Sequence, residues 1–200
     1  MPLPDLAALM LFLFPLAYSP GPGNLFFAAN GARFGFGQTL MANLGYHAAT
    51  FTVTSLIGLG FAGVMVGAPN GFAGLRIIGS LYLFWLAYRL ARAGASEGRE
   101  AQTAGFLDGA ILLVLNPKAY VIIALMFSQF LPSGPVDPAR ILLITSAFTA
   151  NNCVAFSLYA VVGDRLAAGL RHSAKAQRLN LAFGSLLALT AVWMLVSPPG

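Results

Sequence analysis

Four long stretches of this chain contain no Asp, Glu, Lys or Arg: Leu6 to Ala32, Phe34 to Leu75, Ile141 to Gly163 and Leu179 to Gly200. A helix needs about 20 apolar residues to cross the hydrocarbon core of a bilayer, so several of these runs suffice alone. A segment in hydrocarbon must also satisfy its backbone polar groups internally. The expected fold is therefore an all-α integral membrane protein. Composition agrees: 58% of the 200 residues are hydrophobic and 8% charged, against roughly 25% charged in a soluble domain.

The same numbers exclude several functions. The sequence pI near 9.8 does not imply nucleic acid, because basic residues at helix ends report membrane topology first. The single cysteine, Cys153, allows neither an intramolecular disulfide nor a thiol relay within one chain. Two histidines without a His/Cys cluster do not make a metal site. No cofactor and no enzymatic chemistry are expected. The N-terminus has Asp5 but no Lys or Arg before the first run. It lacks the positive region of a signal peptide and is read as a retained helix from residue 3.

Six transmembrane helices are expected, at about 4–29, 40–66, 69–89, 106–130, 140–163 and 178–197. The first, third and fifth connections carry Arg33; Arg89, Arg92 and Arg99; and Arg165, Arg171, Lys175 and Arg178. The opposite side has only Arg76 and Arg140. The positive-inside rule then places both termini outside the cytoplasm. Spans one to three begin outside and spans four to six inside, so a single transmembrane domain, 1–200, would hold two inverted three-helix repeats, about 1–90 and 105–200. The first helix of each repeat is interrupted by proline, in Ser19-Pro20-Gly21-Pro22-Gly23-Asn24 and in Asn116-Pro117-Lys118. Paired Gly/Pro interruptions at corresponding positions point to a transport site at the repeat interface.

Each interruption has a chemical consequence. Two prolines remove two N–H donors and block the carbonyls one turn back, while two glycines allow extended or left-handed backbone. A helix restarting after this segment aims its N-terminal N–H groups and positive dipole end at the gap, which suits a carboxylate. Lys118 lies twelve residues from either end of its span, too deep to snorkel. A charge there costs about 2.5–3.5 kcal/mol on insertion scales. It either binds an anion or couples transport, or it caps carbonyls freed by the break or pairs with a carboxylate. Asn116 beside it can both donate and accept.

Polar residues also line two further spans. Thr39, Asn43, His47, Thr50 and Thr54 fall on one helical face of span two, with Gly45 and Ala49 for close helix approach. His47 is a candidate proton relay, though interhelical hydrogen bonding explains the stripe as well. Thr145, Thr149, Asn152 and Tyr159 form a second stripe in span five, with Asn151 beside it. Asp108 is a candidate coupling carboxylate; the alternative is a helix N-terminal charge favoured by the dipole. The candidate substrate-binding residues are Pro20, Gly21, Pro22, Gly23, Asn24, Asn43, Asn116, Pro117, Lys118 and Asn152.

These motifs resemble the LysE/RhtB family of amino-acid exporters. The likeness rests on Ser19-Pro-Gly-Pro-Gly-Asn24, the Gly-rich turn Asn30-Gly-Ala-Arg-Phe-Gly-Phe-Gly37, the third-span segment Leu75–Arg89, and Asn116-Pro117-Lys118-Ala119 with Gln129-Phe130. It departs in span two, where Ala49, Thr50 and Thr54 stand at positions often held in the family by glycine, an acidic or polar residue, and histidine. The resemblance implies a multi-pass exporter of amino acids or derivatives in the bacterial inner membrane, driven by the proton gradient; alternating access around a central site between the two broken helices is the expected mechanism. Its partners would be a small-molecule substrate and membrane lipid, with a homodimer as one assembly. The alternative is a passive channel, or an exporter of another small solute or metal ion.

Overall fold

A computed structural model of the chain describes residues 3–61, 71–92, 103–131, 137–168 and 175–196. These form eight α-helices and no strand: α1 (Leu3–Tyr18), α2 (Pro22–Phe34), α3 (Phe36–Leu56), α4 (Gly71–Arg92), α5 (Phe106–Val114), α6 (Pro117–Phe130), α7 (Pro138–Ala167) and α8 (Lys175–Val196). A π-turn, Ile57–Phe61, follows α3. The expected connection Gly67–Ala68, most of Arg89–Gly105, and the loop arginines Arg99 and Arg171 lie outside the described residues.

Both proline motifs break a helix where expected. Ahead of α2 the chain extends at Gly21 (φ −167°, ψ 176°), and Pro22 takes the first helical position, where its missing N–H costs nothing. The α1–α2 pair bends by 60°. Asn116 precedes a proline and is pushed out of the helical region, to φ −95° and ψ 98°. The α5–α6 pair bends by 63°. Each bent pair, taken as one span, is long and apolar enough to cross a membrane, as α7 is alone. Ile77–Tyr88 of α4 and Asn180–Val196 of α8 are shorter apolar helices.

The first connection is tighter than the expected Asn30–Thr39. Helix α2 runs to Phe34, and only Gly35, at φ 89°, separates it from α3. That left-handed backbone favours glycine. The Phe36 N–H then donates to Asp164 Oδ2 at 3.0 Å, so the far end of α7 caps the start of α3.

Four glycines set the helix spacing there. A Cβ on Gly31 of α2 would strike the Ala160 carbonyl of α7, and one on Gly163 would strike that of Ala28. Gly45 of α3 and the Phe106 carbonyl, and Gly109 of α5 and the Ala42 carbonyl, repeat this reciprocal contact. Backbone-to-backbone packing of this kind is how helices associate where hydrocarbon offers no hydrophobic drive. The helices also pack as α4 on α8 and α3 on α7.

Outward faces are apolar all round. Leu11, Phe14, Leu107, Leu166, Leu189 and Trp193 are exposed, which a soluble monomer avoids over wide areas and a lipid-facing surface requires. The inside holds the polar residues instead: Thr39, Asn43, His47, Thr50 and Thr54 are all buried, as are Thr145, Asn151 and Asn152.

Candidate functional site

The break between α1 and α2 exposes four carbonyls at the end of α1, and each finds a side-chain donor. Ser19 Oγ donates to Leu16 O at 3.0 Å. Asn24 Nδ2 donates to Ala17 O at 2.9 Å, and Tyr159 Oη to Tyr18 O at 2.9 Å. Lys118 Nζ donates to Ser19 O and to Ser19 Oγ, both at 2.9 Å. In the second break, Tyr120 Oη satisfies Val114 O at 3.0 Å. Asn116 Oδ1 accepts from the Lys118 backbone N–H at 3.2 Å, and Asn116 Nδ2 donates to Tyr46 Oη at 2.9 Å. Lys118 thus ties the two interruptions together across the interior.

This arrangement bears on why the lysine is there. A hydrogen bond from a charged donor contributes about 1.5–3 kcal/mol, so the two bonds to Ser19 can offset the insertion cost of the ammonium. Capping alone can retain the residue. What capping does not supply is a counter-charge. No described carboxylate pairs with Lys118; an ion pair at the edge of the fold joins Arg140 to Asp5 at 3.7 Å. One of the three ammonium N–H groups also remains without an acceptor among the described residues.

Two helix starts add to the positive field. Intrahelical bonding in α2 begins with Leu25 N–H to Gly21 O at 2.9 Å. The N–H groups of Gly23 and Asn24 therefore have no acceptor within the helix. Helix α6 begins at Pro117, one residue before the lysine. Each start carries roughly half a positive elementary charge.

Between them lies a small cavity lined by Leu16, Ala17, Asn24, Tyr46, Asn116, Lys118, Ala119, Ile122, Asn152 and Phe156. Its volume of about 10 Å³ is at the lower limit for one water, so the site is collapsed. Its lining joins two apolar clusters, through Ile122 on one side and Tyr46 and Phe156 on the other. Leu9, Leu13, Ile123, Met126 and Phe148 belong to one cluster, and Phe27, Tyr46 and Phe156 to the other.

Of the expected binding residues, the structure brings Asn24, Asn116, Lys118 and Asn152 to this cavity. Gly21 is buried against the lysine: a Cβ there would lie 3.0 Å from Lys118 Cδ. Pro22 and Gly23 are buried in the first turn of α2, while Pro20 is exposed and Pro117 half-buried. Asn43 is elsewhere, donating to Ser157 Oγ at 3.0 Å. His47 Nδ1 bonds Asn43 O at 2.8 Å, its ring edge-on to Phe156. Asp108 Oδ2 accepts from Gly105 N–H at 2.8 Å, a helix-start bond. Tyr46, Phe156 and Ser19 are the contributors that residue patterns missed. A tyrosine in mid-span was the available signal for Tyr46, because a buried hydroxyl requires a partner.

The family described as LysE type translocator matches residues 14–197. A homoserine/homoserine lactone efflux protein of Salmonella typhimurium is 30% identical over 173 residues, covering 76% of this chain and 82% of that protein. An uncharacterized membrane protein of Vibrio cholerae is 27% identical over 186 residues, 90% of each chain. Another, from Pseudomonas aeruginosa, is 28% identical over 187 residues, covering 88% of this chain and 84% of its own. No solved structure matches the chain.

Proposed function

The chain belongs to the LysE-type translocator family, and on that premise we propose that it is a secondary-active exporter of amino acids or their derivatives, with a homoserine-like compound as the first candidate substrate. The observation that carries this reading is the Lys118 ammonium, without a counter-charge among the described residues, at a cavity flanked by two helix starts. The substrate carboxylate takes the third ammonium N–H and the N–H groups of Gly23 and Asn24. Asn24 keeps its amide oxygen as an acceptor for the substrate ammonium, since its nitrogen already serves Ala17. Asn152, buried in the cavity wall, is the adaptable contact for a hydroxyl or other polar group.

The transport cycle is alternating access around this site, within six spans arranged as two inverted repeats, about 1–90 and 105–200. Support comes from the two bent pairs and from a cavity too small for any amino acid, so the helices must part for substrate to enter. Both termini are outside the cytoplasm and the membrane is the bacterial inner membrane. Proton coupling runs through His47, whose ring borders the cavity residues Tyr46 and Phe156, in preference to Asp108, which is engaged at a helix start.

Efflux of an amino-acid panel from preloaded proteoliposomes, with and without an imposed proton gradient, tests this. Gradient-stimulated release of homoserine or a similar small polar amino acid is expected, and His47→Gln should keep exchange but lose the stimulation. Release of no amino acid from correctly inserted protein would contradict the export reading. Stimulation unchanged in His47→Gln would remove the coupling role.

A further inference from the structure

Helices α3 and α7 run antiparallel, and two contacts fix their register. Asn43 meets Ser157 at 3.0 Å. Fifteen residues further along α3 and its π-turn, a Cβ on Gly58 would lie 2.6 Å from Ile141 Cγ2. Between these contacts His47 stands level with Asn152, Thr50 with Thr149, and Thr54 with Thr145. Residues 47, 50 and 54 share one face of α3, and 145, 149 and 152 one face of α7.

This seam is polar, buried and under-bonded. His47 Nε2, Thr54 Oγ1, Thr145 Oγ1 and Thr149 Oγ1 are buried without a hydrogen-bond partner, four of the seven such side-chain atoms among the described residues. Thr54 and Thr145 are wholly inaccessible. Each of these atoms lacks a protein partner in the closed packing and gains one where water enters the seam. At its inner end the seam starts at Asn152, in the cavity wall. At its far end Gly58 is plugged by Ile141 and Phe127. There α3 gives way to a π-turn, with Gly60 at φ 91°, a local departure from helix of the kind that marks functional hinges. The opposite ends of the same helices are closed differently, by the glycine-to-carbonyl contacts of Gly31, Gly163, Gly45 and Gly109.

We infer that the α3–α7 seam, closed here, is the outer half of the substrate path and becomes hydrated when α3 and α7 part at the Gly58–Gly60 hinge. The inference rests on the export reading and orientation proposed above, and it assigns the unpaired threonines a role: they carry water and then substrate from the cavity to the outer surface.

Accessibility of single cysteines tests it in the full chain, on a Cys153→Ser background. Thr54→Cys and Thr145→Cys should react with a membrane-impermeant maleimide added outside intact cells. The lipid-facing control Val154→Cys should not. Labelling no faster than the control, or only from the cytoplasmic side, would overturn the inference. Thr145→Val gives a second reading. It removes an unpaired hydroxyl from the closed state, so thermal stability in detergent should hold or rise, while the open population, and with it efflux, falls roughly five- to hundredfold. Loss of stability with efflux unchanged would mean that the hydroxyl is structural glue and would overturn the path. If the wild-type protein exports no amino acid, the substrate reading fails, whereas labelling still decides the seam.

Discussion

The position of Lys118 follows from elementary chemistry at its neighbours. Pro20 and Pro22 leave the end of α1 with open carbonyls, and the Lys118 ammonium fills the last of them, at Ser19. Its side chain reaches Ser19 by passing over Gly21, where a Cβ would come within 3.1 Å of Nζ. Gly21→Ala should therefore push the ammonium off Ser19 without disturbing the helix packing. The expected result is normal membrane insertion with a clear loss of efflux. Wild-type efflux in this variant would mean that the Lys118–Ser19 geometry does not matter for transport. At this scale the sequence was legible where a residue type is expensive in a membrane: Lys118, Asn24, Asn116 and Asn152 all reach the cavity. It was not legible where a residue is ordinary. Phe156 is one of sixteen phenylalanines, and nothing local distinguishes the one beside the site. Asn43 has the composition of a site residue but spends its amide on Ser157, a choice set by the register of α3 on α7.

At the scale of elements, the breaks were readable because proline acts locally and without alternatives. The tightness of helix contacts was only half readable. Gly45 in a small-xxx-small pair signalled close approach, but its partner, the Phe106 carbonyl, is set by tertiary packing. Gly31 and Gly163 look like turn or span-end glycines, yet each bears on the other helix's backbone. Gly31→Ala should force α2 and α7 apart at a cost of roughly 1–3 kcal/mol. Gly37→Ala, on a surface where a Cβ meets nothing within 4 Å, should be neutral or stabilising by up to about 1 kcal/mol. Thermal unfolding in detergent compares them, and equal midpoints would contradict the reciprocal contact. The same reasoning explains Asp164. It lies near the end of α7 in sequence and caps α3 across the fold.

For the whole molecule, the class was set by uncharged runs too long to belong in water. The described residues are helical, with apolar outer faces and a polar interior, and the family match makes the chain a multi-pass membrane translocator. The six-span inverted repeat goes further. Helix α3 carries a buried polar stripe, which lowers its hydropathy, and it is not among the helices apolar enough to cross a membrane by composition. Topology is tested by fusing a reporter active only outside the cytoplasm to the C-terminus. Activity there, and none when the reporter is inserted beside Arg33, is expected from the eight basic residues on one side against two on the other; the reverse pattern would invert the orientation.

The central claim is that the Lys118 ammonium, held between two helix starts with no counter-charge among the described residues, receives the substrate's carboxylate. Homoserine efflux from preloaded proteoliposomes, compared between the wild-type protein and Lys118→Met at equal insertion, tests it most directly. The account predicts that Lys118→Met inserts and packs but loses homoserine efflux. Efflux at the wild-type rate would contradict it and leave Lys118 as a cap for the carbonyls of a broken helix.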